Sequence, residues 1–191
     1  MFSRIALHCE TFRDTPRDIF SNQHWQVTAE KYPSGVESLT IKNHRLTLGI
    51  LPYLGQMIWD AEVDGINLRM DNMFTQPYPV STIQDTYGCF AFHSGLLANG
   101  CPAPEDIHPL HGEFPCARMD DAELILHEDG RLGVRSRYRY IQGFGHHYVA
   151  VPEVTVTPDS GVFDISLSVT NPKSSTSPIT CPPRQNAQSS S

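Results

Sequence analysis

The residues best suited to chemistry are crowded into one stretch, from His93 to Glu113. It holds the imidazoles of His93, His108 and His111 and the carboxylates of Glu105, Asp106 and Glu113. An imidazole exchanges its proton near neutral pH or ligates a metal, and a neighbouring carboxylate can orient it or act as a base. Three readings compete. A metal site draws on His108 and His111, three residues apart and flanked by Cys101 and Cys116. That His-x-x-His step lies between prolines, which departs from the usual ligand spacings. In a structural reading the rings only satisfy nearby backbone carbonyls. In the third, the loop recognises a carbohydrate. Sugars are uncharged and rich in hydroxyls, and neutral His, Arg, Asn and carboxylate groups suit them, with an aromatic face beneath the ring. This stretch supplies such groups without a metal, so neither a metal nor any other cofactor is expected.

Other candidates lie outside the stretch. Trp59 could offer an aromatic face, although a tryptophan in a strand is more often core. Arg69, Arg135, Arg137 and Arg139 could meet a carboxylated or phosphorylated sugar. The last three alternate along one segment, which also describes a solvated strand face. His146-His147 resembles a catalytic pair, but adjacent strand residues point to opposite faces, so at most one would reach a given site.

The elements that must position these groups read as β-structure. The chain has 191 residues, with 15 prolines and 13 glycines, a composition suited to short strands and turns. Alternation of period two begins at Trp25-Val27-Ala29. It returns in Val36-Leu39-Ile41, in Leu46-Leu48-Ile50 and from Gln56 to Val63, which Asp64-Gly65 closes as a hairpin. After Asp129-Gly130 come three more alternating segments, Leu132–Ile141, Tyr148–Thr157 and Val162–Thr170, an antiparallel meander. Between the halves, Phe74 to Pro115 lacks periodicity but is too apolar and aromatic for disorder. It reads as an ordered loop over a site. Three regions are expected: an N-terminal extension over 1–24, with a short helix from Asp14 to Asn22; a sandwich over 25–170; and a disordered Ser/Pro-rich tail over 171–191.

Fourteen basic against 21 acidic residues give a net charge of −7. That argues against a nucleic-acid partner and against attraction to anionic membranes. The five cysteines form no CxxC pair and suit free thiols in a reducing compartment. The N-terminus lacks the apolar core of a secretory signal, so a cytoplasmic protein is expected. Neither a Rossmann glycine fingerprint nor a P-loop occurs.

Taken in order, Leu51-Pro-Tyr-Leu-Gly-Gln56, Ile58-Trp-Asp60, Phe92-His-Ser-Gly-Leu-Leu97 and His108-Pro-Leu-His-Gly-Glu113 resemble an aldose 1-epimerase-related family of the galactose mutarotase-like superfamily. The resemblance runs from about Trp25 to Thr170. It implies an all-β, antiparallel galactose mutarotase-like sandwich (a supersandwich) and a small aldose as partner. It also implies anomer interconversion by acid–base ring opening, without a cofactor. His111 matches the histidine that contacts the sugar near its ring oxygen. His93, His108, Glu113, Arg69 and Trp59 are the further candidate contacts. The family's general acid, a histidine after a Thr-Asn step, and its late glutamate base would fall beyond Thr170-Asn171, where this sequence becomes Ser/Pro-rich. The chain therefore reads as an N-terminal half, with a fold incomplete at the C-terminus and impaired catalysis. Self-association through an exposed sheet edge is a further expectation. The alternative is a non-catalytic sugar-binding module.

Overall fold

Each alternating segment becomes a strand in the computed structural model, which describes residues 3–171. The strands are β1 (Ser3–Ala6), β2 (Arg17–Ser21), β3 (Gln26–Lys31), β4 (Glu37–Lys42), β5 (Leu46–Leu51), β6 (Met57–Val63), β7 (Ile66–Asn67), β8 (Asp121–Leu126), β9 (Leu132–Ile141), β10 (His147–Val156) and β11 (Phe163–Thr170). They form two antiparallel sheets, one ordered β1-β8-β9-β10-β11 and the other β2-β3-β4-β5-β6-β7. Turn chemistry sets the register. Asn43 Oδ1 accepts from the backbone N–H of Arg45 and Leu46, at 2.8 and 2.7 Å. Asp64 and Gly65 both take positive φ, 51° and 79°, as a two-residue hairpin turn requires.

The inward faces meet in one core. Val27, Ala29, Leu39, Ile41, Leu48 and Ile50 come from one sheet, and Leu124, Val134, Ala150 and Val154 from the other. A second buried cluster holds Met57 and Trp59 with Leu51, Leu54, Ile83 and Cys116. Ile58 belongs to the first cluster and its neighbours Met57 and Trp59 to the second. β6 is thus buried on both faces, which explains its unbroken apolar start.

Two expectations need correction. Residues 14–22 form no helix: Arg17–Ser21 is strand β2, paired with β3 through a bulge between Asp18 and Phe20. The cap-like Thr15-Pro16 signal is local, and it loses to pairing and to the packing of Ile19 and Phe20 on the core. Nor is the 1–24 segment an appendage. It supplies an edge strand to each sheet, and Leu7 and Phe12 are buried in the core. The expected tail, from residue 172 onward, lies outside the described residues.

The arginines of β9 form a cross-strand charge ladder. Arg135 donates to Glu153 at 2.8 Å and Arg137 to Asp121 at 2.8 Å. These guanidiniums serve the sheet surface. At the far edge β11 pairs with β10, and Ile165 and Val169 are 47% and 48% exposed. Among the described residues, no helix is long and apolar enough to cross a membrane.

Candidate functional site

The His93–Glu113 loop closes on itself through its own backbone. Gly95 N–H donates to His111 O at 2.8 Å, His111 N–H to Gly100 O at 2.9 Å, and Phe114 N–H to Gly95 O at 2.8 Å. The pivot is His111-Gly112, where both residues have positive φ, 62° and 84°. A Cβ on Gly112 would lie 2.1 Å from Ala98 O and 2.6 Å from Gly95 O, so only glycine fits where the two limbs cross.

Glu113 ties the loop to the sheet. Its carboxylate accepts from Leu96 N–H at 3.0 Å, from Leu97 N–H at 3.1 Å and from the Tyr148 hydroxyl of β10 at 2.6 Å. Burial disfavours its charge, but these hydrogen bonds outweigh that and hold the carboxyl below its usual value. Burial and the facing Glu113 carboxylate together drive the Tyr148 hydroxyl upward, so it stays a donor. Tyr148 escaped the sequence reading because its partner lies far away in the chain.

The histidines take distinct positions. His111 packs its ring edge-on against Phe92, with centroids 5.3 Å apart, and its Nδ1 lies 3.3 Å from Ser94 Oγ. The Ser94 hydroxyl has one proton, and its shortest contact is to Asn99 Oδ1. Ser94 therefore donates to Asn99 and accepts from His111 Nδ1–H, which leaves Nε2 of His111 for a ligand. His93 packs its ring against Phe114, with centroids 5.9 Å apart, and burial lowers its pKa and favours the neutral ring. His108 donates from Nδ1 to Pro109 O at 2.8 Å, with Asp106 3.7 Å from its Nε2. Its ring satisfies a local carbonyl, as in the structural reading.

Trp59 and Arg69 belong elsewhere. Trp59 is 1% exposed on the opposite face of β6 from Ile58. The Arg69 guanidinium covers its ring at 5.4 Å and bonds Asp60 at 2.9 Å. The ring face expected for a sugar therefore meets an arginine. That pairing was hidden in the sequence because neither residue's facing partner follows from strand alternation alone.

Two cavities border the loop. One, of about 830 Å³, lies between Leu96 and Leu97 on one side and His146, His147, Tyr148 and Val169 on the other. Both members of the His146-His147 pair line it, contrary to the alternation argument. His146 sits in the hairpin turn, and β10 begins only at His147. The other cavity, of about 30 Å³, is lined by His93 together with Gln56, a residue the sequence reading did not single out. Neither lining includes His111, whose ring stands on Phe92. Among the described residues, no three His, Cys, Asp or Glu side chains are grouped as a metal would need. The buried thiols of Cys89 and Cys116 are pushed up by burial to about 11 and about 12, far from nucleophilic at neutral pH.

No protein-family model and no curated protein matches the sequence. The fold does match a solved structure, that of a "putative aldose 1-epimerase" from Klebsiella pneumoniae subsp. pneumoniae. The TM-score is 0.76 at 16% identity, over 90% of this chain and 52% of that one. The chain thus spans about half the length of that neighbour, and the all-β, two-sheet sandwich that carries the histidine loop has an aldose 1-epimerase-like fold.

Proposed function

We propose that this protein binds a small aldose at the His93–Glu113 loop, with His111 as the principal contact. The observation that carries the reading is the placement of His111. A strained, glycine-supported turn holds the ring against Phe92, and Ser94 engages one nitrogen and leaves the other for a hydroxyl. His93, neutral and packed on Phe114, is the second proposed contact. The larger cavity is roomy enough for a sugar ring beside the same loop.

The proposed activity is exchange of α and β anomers. A base takes the proton from the anomeric hydroxyl, an acid protonates the ring oxygen, the ring opens, and it recloses on the other face. An imidazole whose free nitrogen faces the sugar can assist at the ring oxygen, and each such proton transfer contributes roughly 10²–10⁴-fold. One observation favours the second reading, binding without turnover. Glu113, the best-placed carboxylate of the loop, is committed to two backbone N–H groups and a tyrosine.

Saturation-transfer NMR of glucose, galactose and small deoxy-sugars separates the readings. Anomer exchange that falls at least tenfold in His111→Ala supports the enzyme. Ligand line-broadening without exchange, lost in the same variant, supports the binding module. Neither signal with any aldose refutes both.

A further inference from the structure

The strand β10 is interior to its sheet, between β9 and β11, and contains Pro152, which has no N–H to give to a ladder. The β9–β10 pairing is regular on either side, at Ala150↔Tyr138 and Glu153↔Arg135, and lapses between them. Gln56 fills this gap from the turn that leads into β6 of the other sheet. Its Nε2 donates to Val134 O and to Pro152 O, both at 3.0 Å. Two carbonyls facing one amide fix its orientation, because a flipped amide would turn oxygen toward oxygen. Oε1 is therefore held on the other side, fully buried and without a donor among the described residues, in a residue only 1% exposed. A buried acceptor left so keeps the full cost of its desolvation.

Gln56 also lines the cavity of about 30 Å³, whose wall is otherwise Ile58, Ala91, Phe92, Val154 and Ile165, with His93 as its other polar residue. A site holds a water when it offers at least about 10–15 Å³ and two or more polar partners. This one has the volume and two partners. We propose that an ordered water occupies the cavity, donating to Gln56 Oε1 and hydrogen-bonded to a ring nitrogen of His93. Gln56 is then a positioning residue. Through the water it fixes one neutral tautomer and one rotation of His93, and the same amide repairs the break that Pro152 makes in the sheet. The left-handed backbone at Gln56, φ 48°, follows Gly55, where a Cβ would meet Pro115 O at 1.8 Å. That tight turn delivers the amide to both tasks. The inference is independent of what the loop binds.

The test uses the full chain labelled with ¹⁵N-histidine. In the wild type, water-to-protein cross-relaxation at the Gln56 amide and the His93 ring protons, with a long-lived bound water, is expected. The His93 ring nitrogens should show the two separated resonances of a single neutral tautomer. Val154→Ile adds a methylene at the cavity wall and keeps the Gln56 N–H bonds, so it should fold. It should remove the water signals and move the two ring resonances toward the averaged positions of a tautomer mixture. Gln56→Met removes the acceptor and should do the same. A wild type without such a water overturns the proposal. So does a His93 tautomer that stays unchanged in every variant that folds.

Discussion

The long connection between the two halves of the fold is held down by two different means. From Arg69 to Phe92 it is fixed chiefly by burial, with backbone bonds from Phe90 and Ala91 to Trp59 and Ile58 at its end. Ile83 and Cys89 are buried with Trp59 and Leu51, and Phe74, Val80 and Phe92 pack around them. From His93 to Glu113 it is fixed by hydrogen bonds, with the backbone of Gly95, Gly100 and His111 cross-tied and Glu113 clamping Leu96 and Leu97. Apolar packing makes a cover whose buried side is closed to polar ligands, with polar groups such as Asp71, Gln84 and Asp85 left on its outer surface. Hydrogen-bonded loops cost more to order, but they can present rings and carboxylates at set angles, which recognition of a polar ligand requires.

The two mechanisms predict different failures. Trp59→Ala removes the largest buried side chain against which the packed half rests and should cost about 3–5 kcal/mol, read as a fall in the urea midpoint. Because Trp59 faces away from the cavity shared by Gln56 and His93, the His111 and His93 ring resonances should keep their native positions at urea concentrations where the variant remains folded. Loss of those resonance positions first would show that the two halves are not separately held.

Gly112→Ala strikes the other half. The new Cβ would sit 2.1 Å from Ala98 O at a φ of 84°, a strain of about 1–3 kcal/mol unless the loop opens. Opening of the crossing at Gly112 is the expected response, with Glu113 and Tyr148 still holding the loop to the sheet. Stability should fall less than in Trp59→Ala, but any aldose binding should drop by at least tenfold. Binding within twofold of wild type would remove the loop from the proposed site.

Much of the fold was legible because alternation and turn dipeptides report directly on strands. Leu46–Leu51, Leu132–Ile141 and Phe163–Thr170 all appear where their periodicity puts them. β2 was not legible, since Arg17–Ser21 alternates poorly and owes its conformation to β3. For the proposed site the sequence offered residue types and not their arrangement. The clustering of residue types pointed to His93, His108, His111 and Glu113, but which ring nitrogen is engaged depends on Ser94 and Pro109, and what the Glu113 carboxylate accepts depends on Tyr148. Gln56 was invisible as a functional residue because its role depends on carbonyls of Val134 and Pro152, far along the chain.

Acid should loosen the hydrogen-bonded half first. Glu113 titrates below its usual value in the folded chain, so the folded state binds fewer protons there than the unfolded state. Its contribution is fully present above the unfolded carboxylate value and is lost as pH falls through the lowered folded value. Tyr148→Phe removes the 2.6 Å hydrogen bond and should cost about 1 kcal/mol at neutral pH, with the penalty shrinking as Glu113 is protonated. Amide exchange at Leu96 and Leu97 is the direct measure. Equal acceleration at the amides around Ile83 would contradict local control.

The smallest effect is expected at Arg69, and its pH dependence runs the opposite way. Burial raises the Asp60 carboxyl and Arg69 only partly counters it, so Asp60 binds protons more readily folded than unfolded. Its stability contribution is therefore best at low pH and declines as pH rises through the folded value. Arg69→Met keeps a chain over the Trp59 ring but removes the 2.9 Å ion pair. Because Asp60 is half exposed, the loss should be about 1 kcal/mol or less at neutral pH. It should vanish in acid, where Asp60 is neutral in both proteins. Since Arg69 lies over the buried face of β6, aldose affinity should stay within twofold of wild type. A tenfold loss for anionic sugars would instead show that the packed half reaches the ligand, and the division between a covering half and a recognising half would fail.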